Sequence, residues 1–262
     1  MGVPSDELRA FAEDPRAFVA LGPDEERIAT DRFTVTFSPG AHFWSTSVQR
    51  LRLADDVDNA VSEVRTLMAE RRRAAAVWLV GPSSTPTDLA DRLLANGMEP
   101  EYGDGSTIMI LTERPPTGSS TFEVRRALTY ADVRAAIEVS AGGFEFGTED
   151  AGDERRRARE TFRSERTGGH TFRLLALDGG RPVATLQAWR SPIGLYLGGA
   201  ATLPADRGRG AMSALVVETW KEAVQGGTPA IVAFGGHMSA RLMERLGFTA
   251  HGHVQHLIHR LR

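Results

Sequence analysis

The sequence has no cysteine among its 262 residues. That excludes a disulfide framework, a thiolate nucleophile and any cysteine-based metal site. Lysine is nearly absent too: Lys221 stands alone, and arginine supplies every other fixed cation. No apolar run approaches the roughly 20 residues needed to span a bilayer. The opening residues MGVPSDELRAFAEDP are polar and acidic, unlike a secretory leader. Neither common nucleotide loop occurs: there is no Gly-Lys-Ser/Thr, and no GxGxxG with an acid about 20 residues later. The net charge of -3 offers no basic surface for nucleic acid or an anionic membrane. The expectation is a cytoplasmic protein, monomer or homodimer, with no metal, nucleic-acid or membrane partner.

What is present is an ordinary globular composition, long enough for one large domain or two small ones. The stretch TERPPTGSSTF, Thr112 to Phe122, is rich in Pro, Gly and Ser and reads as a linker. It divides the chain into 1–116 and 118–262.

The second half alternates clearly. Thr129 followed three residues on by Asp132 is a capping box in Asp form, and Val133, Ala136, Ile137 and Ser140 share one helical face. AGGFEFGTED reads as a loop and DERRRARETFRSER as a charged helix, usually a solvated face, with attraction of an acidic acceptor as its other reading. TFRLLAL and PVATLQAWR are strands joined by an Asp178-Gly179-Gly180 hairpin signal. GLYLGGAATL is a third strand carrying two unusual glycines, Gly198 and Gly199, which fit a bulge. A helix reaches about Gln225, with Met212, Leu215, Val216, Thr219, Trp220 and Ala223 at helical spacing, and Gly226-Gly227 stop it. PAIVAFG is a buried strand, SARLMERLGF a short helix, and HGHVQHLIHRL a last strand. The first half ends in the same way: AAAVWLV, then a helix closed by Gly97-Met98, parallels the strand and helix closed by Gly247-Phe248. This is a weak internal repeat. The first half reads as having fewer strands before its helix at about 55–73 and has no Arg/Gly turn there.

In the second half that turn is Arg207-Gly208-Arg209-Gly210, set between a strand and a helix. A helix start leaves about four N–H groups unpaired and carries roughly half a positive charge. Glycines there let a phosphate approach the backbone, and arginines add donors. The other reading is a purely structural turn.

The strand LYLGGAATL, the segment PADRGRGAMSALV, the strand after Pro229 and RLMERLGF together resemble the GNAT family of acyl-CoA-dependent N-acyltransferases. Arg207, Gly208, Arg209, Gly210 and Ala211 fall on the family signature, with Met212 in place of its last small residue. The likeness covers 118–262 strongly and 1–116 as a degenerate copy, as in the tandem GNAT proteins of actinobacteria. It implies an α/β fold of two lobes, each a mixed, mostly antiparallel sheet flanked by helices. It implies acetyl-CoA as cosubstrate, with its pyrophosphate at the N–H groups of Arg209 to Met212. The pantetheine would lie in a split between strands 195–203 and 229–235, beside Thr202 and Leu203, where a backbone N–H polarises the thioester. The acceptor would be an amine on a small molecule or peptide.

Acid and base are less well marked. Met243 stands where the family usually has a tyrosine, and the strand before the turn carries no carboxylate. Glu145, in a loop that lines the acceptor site in the family, is a base or a solvated acid. His237, before the closing helix, is a proton relay or a surface residue. Tyr196 reads as core. His251, His253, His256 and His259 read as edge or surface histidines rather than zinc ligands, since no carboxylate adjoins them. Trp44, Trp78 and Trp189 read as core or lobe contacts. The competing function is a non-catalytic acyl-CoA-binding sensor or assembly module.

Overall fold

The computed structural model describes residues 4–101, 103, 105–116, 121–144, 148–237 and 239–261, with 148–150 as backbone alone. In chain order the N-terminal half contains α1 (Asp6–Glu13), α2 (Pro15–Phe18), β1 (Glu26–Ala29), β2 (Thr34–Phe37), β3 (Thr46–Gln49), α3 (Val57–Glu70), β4 (Ala75–Val80), α4 (Leu89–Ala95), β5 (Glu99–Pro100) and β6 (Ser106–Leu111). The C-terminal half contains β7 (Glu123–Arg126), α5 (Tyr130–Phe144), α6 (Thr148–Gly168), β8 (Thr171–Asp178), β9 (Arg181–Arg190), β10 (Leu195–Thr202), α7 (Ala211–Gln225), β11 (Ile231–Gly235), α8 (Ala240–Arg245) and β12 (Thr249–Arg260). Three strands precede α3, so the N-terminal half is fuller than its sequence suggests. The supposed loop after Ser140 is partly helical, because α5 runs on to Phe144 and α6 begins at Thr148.

All twelve described strands join one sheet in the order β1-β2-β3-β4-β12-β6-β11-β10-β9-β8-β7, with β5 beside β12. Two pairs are parallel, β3 with β4 and β10 with β11, and each spans a crossover helix, α3 or α7. The other pairs are antiparallel.

The two halves exchange strands. β6 lies between β11 and β12, inside the C-terminal half's part of the sheet. β12 pairs with β6 through Thr249–Val254, then runs on to pair with β4 through Gln255–Arg260. The sheet therefore continues through the junction that the linker marks in sequence. This position explains the histidines. His256 and His259 are each 3% exposed, because that stretch of β12 is an interior strand and not an edge. Burial pushes His259 down to about 4.

Three large apolar clusters hold the layers, and two small ones lie beneath α5 and between α5 and α6. One lies under α7, with Leu215, Val216 and Trp220 against Leu195, Leu197 and Ile231. One lies under α3 and α4, around Trp78, Val61 and Leu93. The third joins the halves: Leu8 and Phe11 of α1 cover Leu79, Ile108, Tyr196 and Val232, which come from β4, β6, β10 and β11. Trp44 and Trp189 pack partly buried against this third cluster.

Candidate functional site

β10 and β11 pair only from Leu195–Leu197 to Ile231–Ala233. Beyond that point β10 bends away. Its register against β9 shifts between Gly198 and Ala201, and Gly199 has φ +57. Gly198 faces Trp189, and a Cβ there would sit 2.9 Å from the indole. The two glycines thus make the bulge, and the bulge opens a split between two parallel strands. Past the bulge, Leu203 N–H donates to Val183 O at 2.9 Å, toward β9. Strand alternation turns the Thr202 N–H the other way, into the split.

The C-terminal turn of α5 lies over that point. A Cβ on Gly143 would sit 2.8 Å from Ala201 Cβ and 3.2 Å from Thr202 N, and one on Gly142 2.9 Å from Leu203 Cδ2. The capping box starts this helix as its sequence predicts: Thr129 N–H and Oγ1 both donate to Asp132 Oδ2.

The glycine turn ends the split. Gly208 has φ +75 and Gly210 φ +92, with Arg209 between them at negative φ. Alternating signs of φ aim successive N–H groups into one concavity. Gly210 is the N-cap of α7, so the N–H groups of Ala211, Met212 and Ser213 have no acceptor within the helix. A Cβ at Gly208 or Gly210 would meet nothing within 4 Å. Only left-handed backbone demands glycine here, and the space in front of it is open.

The arginines are turned to other partners. Arg207 donates to Gly143 O at 2.8 Å and to Thr202 O at 3.4 Å, tying α5 to the end of β10. Arg209 bonds Asp178 and Asp206, each at 2.8 Å, with its guanidinium over the Phe122 ring. Arg181 clasps the same Asp206 through both Nη atoms, at 3.0 and 2.8 Å. The hydrogen bond from Arg181, and then Arg209, hold the Asp206 carboxyl below the usual carboxylate range. Asp178 and Arg181 flank the β8–β9 turn at Gly179-Gly180, so that hairpin grips the loop ahead of α7 from behind.

Ala211 is buried in the cluster under α7 and offers only its N–H; Met212 packs partly against the same cluster. Thr202 and Leu203 are half-buried at the split. His237 is exposed in the turn between β11 and α8. Glu145 lies outside the described residues. Met243 packs against the α7 cluster. Tyr196 is core, and burial pushes its phenol up to about 12. Among the described residues no group of three or more His, Asp or Glu is placed to share a metal ion. None of the described helices is long and apolar enough to cross a membrane.

An aromatic seam that sequence reasoning missed runs from the split into the N-terminal half. Trp189 stacks on Tyr196 at 5.3 Å, Tyr196 meets Phe234 at 6.0 Å, Phe234 meets His256 at 5.4 Å, and His256 meets Trp44 at 5.0 Å. Glu101 ends it, accepting Trp44 Nε1–H at 2.6 Å and lying 3.3 Å from His256 Nδ1. These residues come from six separate segments, so no spacing could have announced them.

The corresponding place in the N-terminal half is closed. Beyond the β3–β4 pair, Leu53 N–H donates to Thr85 O and Thr85 N–H to Leu51 O, zipping the gap. Asp55, Asp56 and Asp58 surround the start of α3, where they would repel a phosphate.

No protein-family model matches the sequence, and no curated protein matches it. Solved structures do match in shape. A GCN5-related N-acetyltransferase from Kribbella flavida has a TM-score of 0.68 at 14% identity, over 98% of this chain and 95% of that one. A tandem GNAT protein from the clavulanic acid biosynthesis pathway has 0.58 at 14%, over 99% and 89%. A GCN5-related N-acetyltransferase from Sphaerobacter thermophilus has 0.57 at 18%, over 88% and 81%. The chain has the GNAT fold. At these identities the likeness is one of fold. In GNAT terms the split, the α7 start and the closing α8 belong to the C-terminal lobe, and the N-terminal lobe repeats the layout with its split zipped.

Proposed function

We propose that the chain is an N-acyltransferase, carrying acetyl from acetyl-CoA to a primary amine on a small molecule or peptide in a reducing cytoplasm. The observation that carries this is the split between β10 and β11 ending at a left-handed glycine turn on a helix start. The residues fit the cosubstrate. Gly208 and Gly210 leave open space before unpaired N–H groups, which suits a pyrophosphate. The free side of β10 near Thr202 and Leu203 suits the amide groups of pantetheine. When bound, the cosubstrate supplies an electrophilic acyl carbon on a thiolate leaving group.

The chain's own groups do the rest. The Thr202 N–H donates to the carbonyl oxygen and holds its charge as the amine adds; one such donor is worth about 10²–10³ in rate. Holding the amine against the acyl carbon converts a bimolecular step into a local one. His237 and Glu145 are the groups we assign to receive the amine proton. The test is incubation of the purified chain with acetyl-CoA and a panel of primary amines, read by mass spectrometry. A new amide that depends on an intact Gly210 supports the reading; thiol release with no amide opposes it.

A second reading, an acyl-CoA-binding sensor, is favoured by Met243 in the position where the resemblance calls for a tyrosine. Coenzyme A binding by calorimetry, with no product from any amine, would select it.

A further inference from the structure

Between the N-terminal half and α6 lies a second cavity, of about 300 Å³. None of its lining residues belongs to β10, β11 or α7. Three arginines face it, Arg72, Arg73 and Arg157, against one carboxylate, Asp153. Asp153 is itself shared, lying 3.5 Å from Arg156. Arg157 has one exposed partner, Glu160, at 3.2 Å. The cavity therefore gathers like charge without matching acids.

Arg73 is fixed in place. It donates to Gly40 O at 2.6 Å and to Ser38 O at 2.8 Å. Its Nε is buried with no hydrogen-bond partner among the described residues, and so is the Oγ1 of Thr46, a lining residue 1% exposed. Burial, and then the charge of Arg157, push Arg73 below the ordinary range of arginine. Arg72 adds strain: its φ is +53, just past the end of α3. Glycine is the usual residue in that conformation, and a side chain there is strained. An arginine stands there instead, at a position that lines the cavity.

We propose that this cavity binds a compact oxyanion, a phosphate or carboxylate group, between Arg73 and Arg157 with Arg72 in its lining. The volume lies at the small end of ligand pockets, so the group is carried on a small body. It is either the anionic part of the acceptor or a separate small anion. The charged run on α6, unexplained by the coenzyme site, then has a task.

The probe is inorganic phosphate on the full chain, with chloride at equal ionic strength as control. Phosphate should raise the melting temperature saturably. Arg157→Gln, at a half-buried position of α6, should weaken phosphate about tenfold, the loss of one charge-assisted contact. Arg72→Gly should melt higher without phosphate yet gain less from it, since it relieves strain and removes a cation. A merely structural Arg72 would not give those opposite changes. Gly210→Asp, which acts on the glycine turn, should leave intact the part of the phosphate response that Arg157→Gln removes. The proposal is overturned if phosphate acts no differently from chloride, or if Gly210→Asp abolishes the response while Arg157→Gln keeps it. In an acyl-transfer assay, competition of phosphate with the acceptor amine would assign the site to the acceptor; binding without competition would assign it to a separate anion. The melting readout needs no turnover, so it stands even if the acyltransferase reading fails.

Discussion

Arg209, in the loop ahead of α7, donates to Asp178 at the end of β8 at 2.8 Å. The arginine that most resembles a phosphate ligand in sequence is thus held by two carboxylates, Asp178 and Asp206. Its work in the free protein is to shape the loop. The glycines on either side provide the backbone that faces the open space. Under the proposed function, affinity for a pyrophosphate here would rest on the order of the N–H groups, with the arginine acting at one remove.

If so, Asp178→Asn and Arg209→Ala should each weaken coenzyme A by a similar factor, about threefold to fivefold, as expected for a partly exposed ion pair worth about 1 kcal/mol or less. The double variant should be little worse than either single one. Calorimetric affinities that add in full would show that Arg209 meets the ligand directly and that Asp178 does not act through it.

Gly210 should separate backbone strain from charge. Gly210→Ala meets no neighbour but is forced to φ +92, a cost of about 1 kcal/mol in stability. Gly210→Asp adds a negative charge before the helix start and should lower coenzyme A affinity at least about tenfold beyond that, some 1.4 kcal/mol. Equal affinities for the two variants would mean that no phosphate sits there.

Two buried groups titrate against each other. Asp14 accepts the Arg50 N–H at 2.9 Å, yet burial pushes it up to about 7. Its protonated form is favoured by folding, so that contribution is full below pH 3.8 and is lost as pH rises through about 7. His259, pushed down to about 4 by burial, contributes above pH 6.5 and loses that contribution as pH falls through about 4. Between these limits the slopes oppose. Asp14→Asn keeps the acceptor for Arg50 and removes the titration. It should stabilise the protein at pH 8, by up to about 4 kcal/mol, and do little at pH 4. Urea midpoints shifted equally at both pH values would contradict this.

The strand exchange predicts how the chain can be cut. Removing residues 1–116 takes away β6 and leaves β11 and β12 without their shared neighbour. That fragment should aggregate or melt far below the full chain. A fragment beginning at Gly105 keeps β6 and should be the more soluble of the two. Light scattering on both decides it; a soluble, equally stable fragment 118–262 would refute the dependence.

Local features were legible before the structure. The Thr129–Asp132 box, the Asp178-Gly179-Gly180 hairpin, the Gly198-Gly199 bulge and the left-handed glycines before α7 are set by neighbours a few residues apart. Long-range choices were not. Periodicity marks HGHVQHLIHR as a strand but not which strands flank it, so His256 and His259 read as surface residues and are buried. Nothing near Arg209 in sequence announces Asp178 as its partner, because the β8–β9 turn and the loop ahead of α7 meet only in the fold. The aromatic seam and the basic cavity are assembled from both halves and have no linear signature at all.

The long β12 also sets a clock. β4, with its apolar AAVWLV, has one edge on β3 and the other reserved for β12. At roughly 5–20 residues per second of synthesis, roughly ten to thirty-five seconds pass between the emergence of β4 and of its partner. For that interval the nascent chain carries an open, uncharged strand edge, the kind that recruits other strands. Neither half can finish its sheet alone, so the first half must be shielded while it waits for the last strand of the second.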